Sequence, residues 1–221
     1  MYLAKTPSLL YKLYNSKDLW RVDTPENNIY LTFDDGPIPE VTPWVLDLLD
    51  TYNAKATFFC VGDNVRKHHT IFADILKRGH CVGNHTFNHL NGWKSHPREY
   101  VLNVKKCGDY FFSPLFRPPY GKISIAEHKF LKKYYQLVYW TVLTGDFDQT
   151  ITPQKCLENA IVSTEKGSIV VFHDSMKAKT NLFYALPAFL EHFSINGFQF
   201  KAIASRHKVG KKTLELLNTA S

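Results

Sequence analysis

Five stretches lying far apart in the sequence carry side chains able to do acid–base or metal chemistry: Asp34-Asp35 in TFDDGP, His85 and His89 in HTFNH, Arg117 in RPPYG, Asp146 and Asp148 in GDFD, and His173 in VVFH. Adjacent carboxylates repel, so a cation is expected to meet the aspartate pair. On a helical turn, histidines four residues apart share one face. With one carboxylate they would form the three-ligand, open set of a catalytic metal. Alone, Asp-Asp-Gly-Pro reads as a turn and His-x-x-x-His as two ordinary histidines. The combination points to a metal.

The two aspartates are then expected to divide labour. One would bind the cation, while the other, kept ionised by the cation and Arg117, would take a proton from water. Successive strand side chains point to opposite faces, so both can reach one site only if the backbone leaves the regular strand there. Gly36-Pro37 permits that departure. Arg117 is suited to holding a carboxylate bidentately, or to a structural ion pair. His173 is either a satisfied core histidine or a proton donor to a leaving amine, oriented by Asp146 or Asp148.

These groups follow the ends of apolar, β-prone runs. The runs are residues 28–33, 56–61, 79–83, 114–118, 136–142, 168–172 and 198–204. Between them, three-to-four spacing predicts helices: one through Val41, Trp44, Val45, Leu48 and Tyr52, one from Val65 to Leu76 stopped by Gly79, and one after Pro97. Two more follow, one capped by Thr152-Pro153 and one over Leu182–Phe193 entered or kinked at Pro187. Alternating strands and helices imply a parallel sheet with right-handed crossovers. The expected fold is α/β, a distorted, closed or nearly closed (β/α)7 barrel in a single domain spanning 28–204. Residues 1–27 would form an arm or cap and 205–221 a polar tail. In such barrels chemistry gathers at the carboxyl ends of the strands, where these ionisable residues fall.

Composition narrows the remaining classes. The chain has 221 residues and a net charge of +7 spread along its length, so no nucleic-acid partner is expected. Cys60, Cys81, Cys107 and Cys156 form no CxxC pair, which argues for reduced thiols rather than a cysteine metal site. No leader-like apolar core and no membrane-length run is visible, so the expected compartment is cytoplasmic. Nothing in the sequence sets the oligomeric state.

TFDDGP and HTFNH, supported by RPPYG, VVFH, ATFFCVG and GNH, resemble the polysaccharide deacetylases, the NodB-like carbohydrate esterases, over about residues 29–203. The resemblance implies a metal-dependent hydrolase that removes acetyl groups from N-acetylated sugars. It implies Asp34 as general base, Asp35, His85 and His89 as ligands of a divalent metal, zinc first, Arg117 as the partner of Asp34, and His173 as general acid. The backbone N–H of Tyr120 would help hold the oxyanion. The family's Asp-x-x-Asp-Trp motif is altered in WTVLTGDFDQ: counted from Trp140, Leu143 and Phe147 replace its first Asp and its Trp. Asp146 keeps the second aspartate and becomes the expected partner of His173, in competition with Asp148. Phe147 and Phe172 are expected to wall an apolar slot for the acetyl methyl. Trp93 either lines a sugar groove or packs in the ordinary way. The expected substrate is a peptidoglycan- or chitin-type glycan. The alternatives are another acyl or cyclic amide, an O-acetyl ester of the acetylxylan type, or a catalytically silent carbohydrate- or metal-binding module.

Overall fold

In the computed structural model, which describes residues 4–7 and 18–204, β1 (Asn28–Asp34) is buried along its whole length. It is flanked in parallel by β2 (Thr57–Cys60) and β7 (Ile169–His173). Outward from β2 lie β3 (Cys81–Asn84), β4 (Leu115–Phe116) and β5 (Gln136–Leu137), and outside β7 lies β6 (Val142–Leu143), all parallel. A short β8 (Gln199–Phe200) pairs with the start of β1. The order β5-β4-β3-β2-β1-β7-β6 is the expected single-domain parallel (β/α) barrel, left open between β5 and β6. Stretches of the N-terminal arm run along both free edges. Leu19 bonds to Leu137 and Tyr139, and Ala4 and Thr6 bond to Leu143 and Thr141.

The helices cover the outer face of the sheet. They are α1 (Thr42–Thr51), α2 (Gly62–Lys67), α3 (His69–Lys77), α4 (Pro97–Gly108), α5 (Ile125–Leu131), α6 (Pro153–Ser163) and α7 (Lys179–Ile195). Strand alternation sorts the side chains. Ile29, Leu31 and Phe33 of β1, with Phe58, Val170 and Phe172, join the helix-facing core, while Tyr30, Phe59, Val138 and Ile169 fill the barrel interior. A second helix-facing core gathers Tyr100, Val104, Phe116, Leu131 and Leu137.

Several sequence expectations change in detail. The run 136–142 is two strands, with its centre drawn aside to pair with Leu19. The helix expected from Val65 to Leu76 is two, broken at His68. The last run pairs over only Gln199–Phe200. Pro187 lies inside α7. Helix α5 was not expected, although its capping box is legible: Ser124 and Glu127 bond reciprocally. Thr152 caps α6 as the sequence predicts. The four cysteines are free, and no described helix is long and apolar enough to cross a membrane. The tail expected over 205–221 lies outside the described residues.

Candidate active site

The parallel register sets Asp34 beside His173 at the ends of β1 and β7, so both side chains leave the same face. Phe59 and Gly83 continue that row across the sheet. A Cβ on Gly83 would lie 2.3 Å from the Phe59 ring, so glycine lets the ring lie flat there. Over that ring, 4.1 Å from its centroid, sits the Arg117 guanidinium, fully buried in the barrel.

Arg117 is held by four bonds. Nη1 donates to Asp34 Oδ1 (2.6 Å) and Thr32 Oγ1 (2.8 Å), Nε to Val138 O (3.2 Å) and Nη2 to Tyr139 O (3.1 Å). The pairing with Asp34 uses a single nitrogen, not the bidentate fork expected. Nε and Nη2 instead bond two backbone carbonyls of the segment that follows β5.

Asp35 is the next residue, but its backbone turns aside at φ 82, followed by a cis Gly36-Pro37 bond. This is the departure from the strand that the aspartate pair required. Asp35, His85 and His89 bring one ligand atom each within 4.8 Å of one another. His89 Nε2 lies 3.1 Å from Asp35 Oδ1 and His85 Nε2 3.7 Å from it. The buried Oδ1 accepts no well-aligned hydrogen bond. His85 Nδ1 lies 2.8 Å from Arg117 O, a carbonyl that can only accept, which leaves the Nε2 lone pair facing Asp35. Burial pulls His85 down to about 4 against the opposing carboxylates, so the ring is neutral. Burial would raise Asp35, but the His89 contact and the charge of His173 outweigh it and hold it well below the usual carboxylate range. A carboxylate oxygen and two imidazole nitrogens, gathered within 4.8 Å of one another, fit a divalent cation.

The histidines do not share a helical face, as the spacing suggested. HTFNH is a loop with positive φ at Thr86 and His89. Its Phe87 and Asn88 N–H groups are taken by Asn103 Oδ1 instead of helical carbonyls, and Asn84 bonds Thr86 N–H and Val104 O.

Asp146, not Asp148, engages His173. It accepts from the His173 backbone N–H (2.6 Å) and lies 2.8 Å from Nδ1. Asp148 instead bonds Thr150. Burial works against the His173 charge, yet Asp146, with Asp35 and Asp34 behind it, lifts His173 to about 9. Phe147 meets the His173 ring edge-on at 5.0 Å. Phe172 does not wall this space. One residue earlier on β7, it points to the opposite face and packs on Phe33 and Phe189. Tyr120 stands against His89 at 4.6 Å and is 59% exposed. Trp93 donates its indole N–H to Ile123 O (3.1 Å), faces Lys122 and is 65% exposed, at the surface beside the loop that carries Tyr120.

Two contributors were given no role by the sequence reading. Asp174, directly after His173, is pushed up to about 8 by burial and by Asp35, against its bonds from Thr42 and Gly36. Asn64 bonds the Asp35 carbonyl (2.7 Å). Asp174 was visible as an ionisable residue at a strand end, while Asn64 carried no signal. A cleft of about 330 Å³ opens beside the cluster, lined by Asp35, Asn64, Asn88, His89 and Ser175.

The family sequence model described as polysaccharide deacetylase matches residues 21–137. A peptidoglycan-N-acetylglucosamine deacetylase of Bacillus cereus is 36% identical over 192 residues, covering 84% of this chain and 90% of that protein. A chitooligosaccharide deacetylase of Azorhizobium caulinodans is 32% identical over 162 residues, covering 70% and 77%. Longer Listeria monocytogenes relatives are spanned over only 44% of their length. The crystal structure of the Bc1960 peptidoglycan N-acetylglucosamine deacetylase superposes with a TM-score of 0.79 at 27% identity, covering 93% of this chain and 99% of that one.

Proposed function

Because this chain belongs to the polysaccharide deacetylase family, we propose that it hydrolyses the N-acetyl groups of an amino-sugar glycan, of the peptidoglycan type first and the chitooligosaccharide type second. The observation that carries this reading is the convergence of a proton acceptor, a proton donor and a three-ligand cluster on one rim, from strands remote in sequence.

A divalent cation, zinc first, held by Asp35, His85 and His89 would supply Lewis acidity to the acetyl carbonyl and acidity to water. Asp34 takes the proton from the attacking water, its carboxylate kept in place by the buried Arg117. His173, protonated through Asp146, gives its proton to the departing sugar amine. The Tyr120 N–H donates to the developing oxyanion. Phe147 bounds the acetyl group on the His173 side, and Trp93 offers an aromatic face to a more distant sugar ring.

The test is acetate release from peptidoglycan fragments and acetylated chitooligosaccharides, before and after chelation, beside an O-acetylated xylan. The expected result is release from an N-acetylated glycan, lost with the metal and restored by zinc. Full activity after verified metal removal overturns the reading. Release from the xylan alone replaces the amide by an ester.

A further inference from the structure

Of the two cluster members at positive φ, Asp35 and His89, Asp35 lies further from the ordinary left-handed region. A residue with a Cβ avoids φ near +80°, yet Asp35 stands at φ 82. The main chain around it is bonded at consecutive groups. Asp34 O accepts from the Asp174 N–H (3.1 Å), Asp35 O from Asn64 Nδ2 (2.7 Å) and Gly36 O from the Val61 N–H (3.0 Å), while the Gly36 N–H donates to Asp174 Oδ1 (3.0 Å). One residue, Asp174, thus grips the chain on both sides of Asp35.

The Asp174 side chain is itself anchored. Thr42 Oγ1 donates to Oδ2 (2.6 Å) and accepts from the Ile38 N–H (2.8 Å). Contact with the loop is close: a Cβ on Gly36 would lie 1.9 Å from Asp174 Oδ2. Asp174 is 1% exposed, and no Lys, Arg or His among the described residues forms an ion pair with it. Burying a carboxyl beside Asp34 and Asp35 is costly, so packing alone would favour an apolar residue there. What an apolar residue cannot supply is a planar group bonding Gly36 and Thr42 together. The bracket works with the carboxyl in either protonation state, because a protonated Oδ2 can donate to Thr42 Oγ1.

We propose that Asp174 and Asn64 are positioning residues that hold Asp35 in its ligand conformation, Asp174 by bracketing it and Asn64 by fixing its carbonyl. This inference rests on the metal reading given above. Partners that orient a metal ligand typically govern affinity by about 10–100-fold.

The experiment compares the full chain with its Asp174→Ala, Asp174→Asn and Asn64→Ala variants. Zn2+ affinity is measured by chelator competition, the Co2+ form by its visible spectrum, and the metal-free protein by thermal unfolding. Asp174→Ala is expected to weaken Zn2+ binding about 10–100-fold and to shift the Co2+ spectrum. Asn64→Ala is expected to lose less, in the same direction. Asp174→Asn is expected to bind nearly as the parent, since its carbonyl accepts from Gly36 and its amide donates to Thr42. A merely structural role would lower the melting temperature of the metal-free variants and leave affinity unchanged. Folded Asp174→Ala and Asn64→Ala proteins with parental affinity and spectrum overturn the inference. If Asp174→Ala does not fold, parental affinity in Asn64→Ala overturns it. Failure of the parent chain to bind Zn2+ removes the metal reading and this inference together, whereas equal binding by parent and variants removes this inference alone.

Discussion

Two neighbouring rows of the same sheet behave as different materials. Phe172, Phe33, Phe58 and Val82 stand side by side in register and face the helices. One residue further along each strand, His173, Asp34, Phe59 and Gly83 stand side by side and face the barrel interior. The first row is apolar and carries stability through area removed from water. The second sets Asp34 and His173 out of water, where Arg117 and Asp146 partner them. Chemistry and stability are thus separated by the two-residue period of a strand, and Arg117 is where they meet again.

Arg117→Met should break that separation most completely. It strips the counter-charge from a buried Asp34, so unfolding stability is expected to fall by about 3–5 kcal/mol. Acetate release should fall to background with it, as denaturant titration and a product assay would read. Phe172→Ala tests the outer row alone. A loss of about 3–5 kcal/mol is expected in denaturant titration, with kcat of the remaining folded enzyme unchanged. A large fall in kcat would mean that the rows are coupled.

Asp34→Asn is the matching inner-row change. It is expected to cost about 10²–10⁴-fold in turnover while the far-ultraviolet dichroism stays that of the parent. Retained turnover would remove Asp34 from its proposed role as base.

The pH dependence sharpens the same contrast. His173 is raised to about 9, above the ordinary histidine value of 6.5, mainly because Asp146 overcomes the effect of burial. A raised pKa stabilises the fold fully below the unfolded value, and that contribution disappears as pH climbs through the folded one. Between about pH 6.5 and 9 the parent should therefore lose stability that an Asp146→Asn variant never had. Proton donation by His173 should give kcat an alkaline limb that moves to lower pH in that variant. Identical stability profiles would show that the pair is not coupled in solution. The smallest effect is expected of Trp93→Ala, a rise in KM of about threefold at unchanged kcat, the size of roughly 0.5–1 kcal/mol from a few tens of Å² of apolar contact at ~25 cal/mol per Å².

Much of this was readable from the chain. The apolar runs that end in Asp34, His173 and Arg117 marked strand ends, and strand ends in a parallel barrel are where chemistry collects. The Asp-Asp-Gly-Pro run signalled a break in the strand, and the two histidines of HTFNH do come together beside Asp35, though not on the helical turn their spacing suggested. Four-residue spacing is equally compatible with a loop, and it was Asn84 and Asn103, distant bond partners with no local pattern, that made it one. Phe172 was misplaced because the strand's parity could be set only by the neighbour it pairs with.

Residue type and order along the chain thus determined the strands, most of the helices and the ionisable groups at the strand ends, since periodicity and breakers act over a few residues. Tertiary structure alone decided between Asp146 and Asp148, gave Arg117 one contact with Asp34 instead of two, and brought Asn64 and Asp174 to Asp35. Those outcomes depend on which distant donors lie within hydrogen-bond reach, and a pattern a few residues wide does not encode such distances.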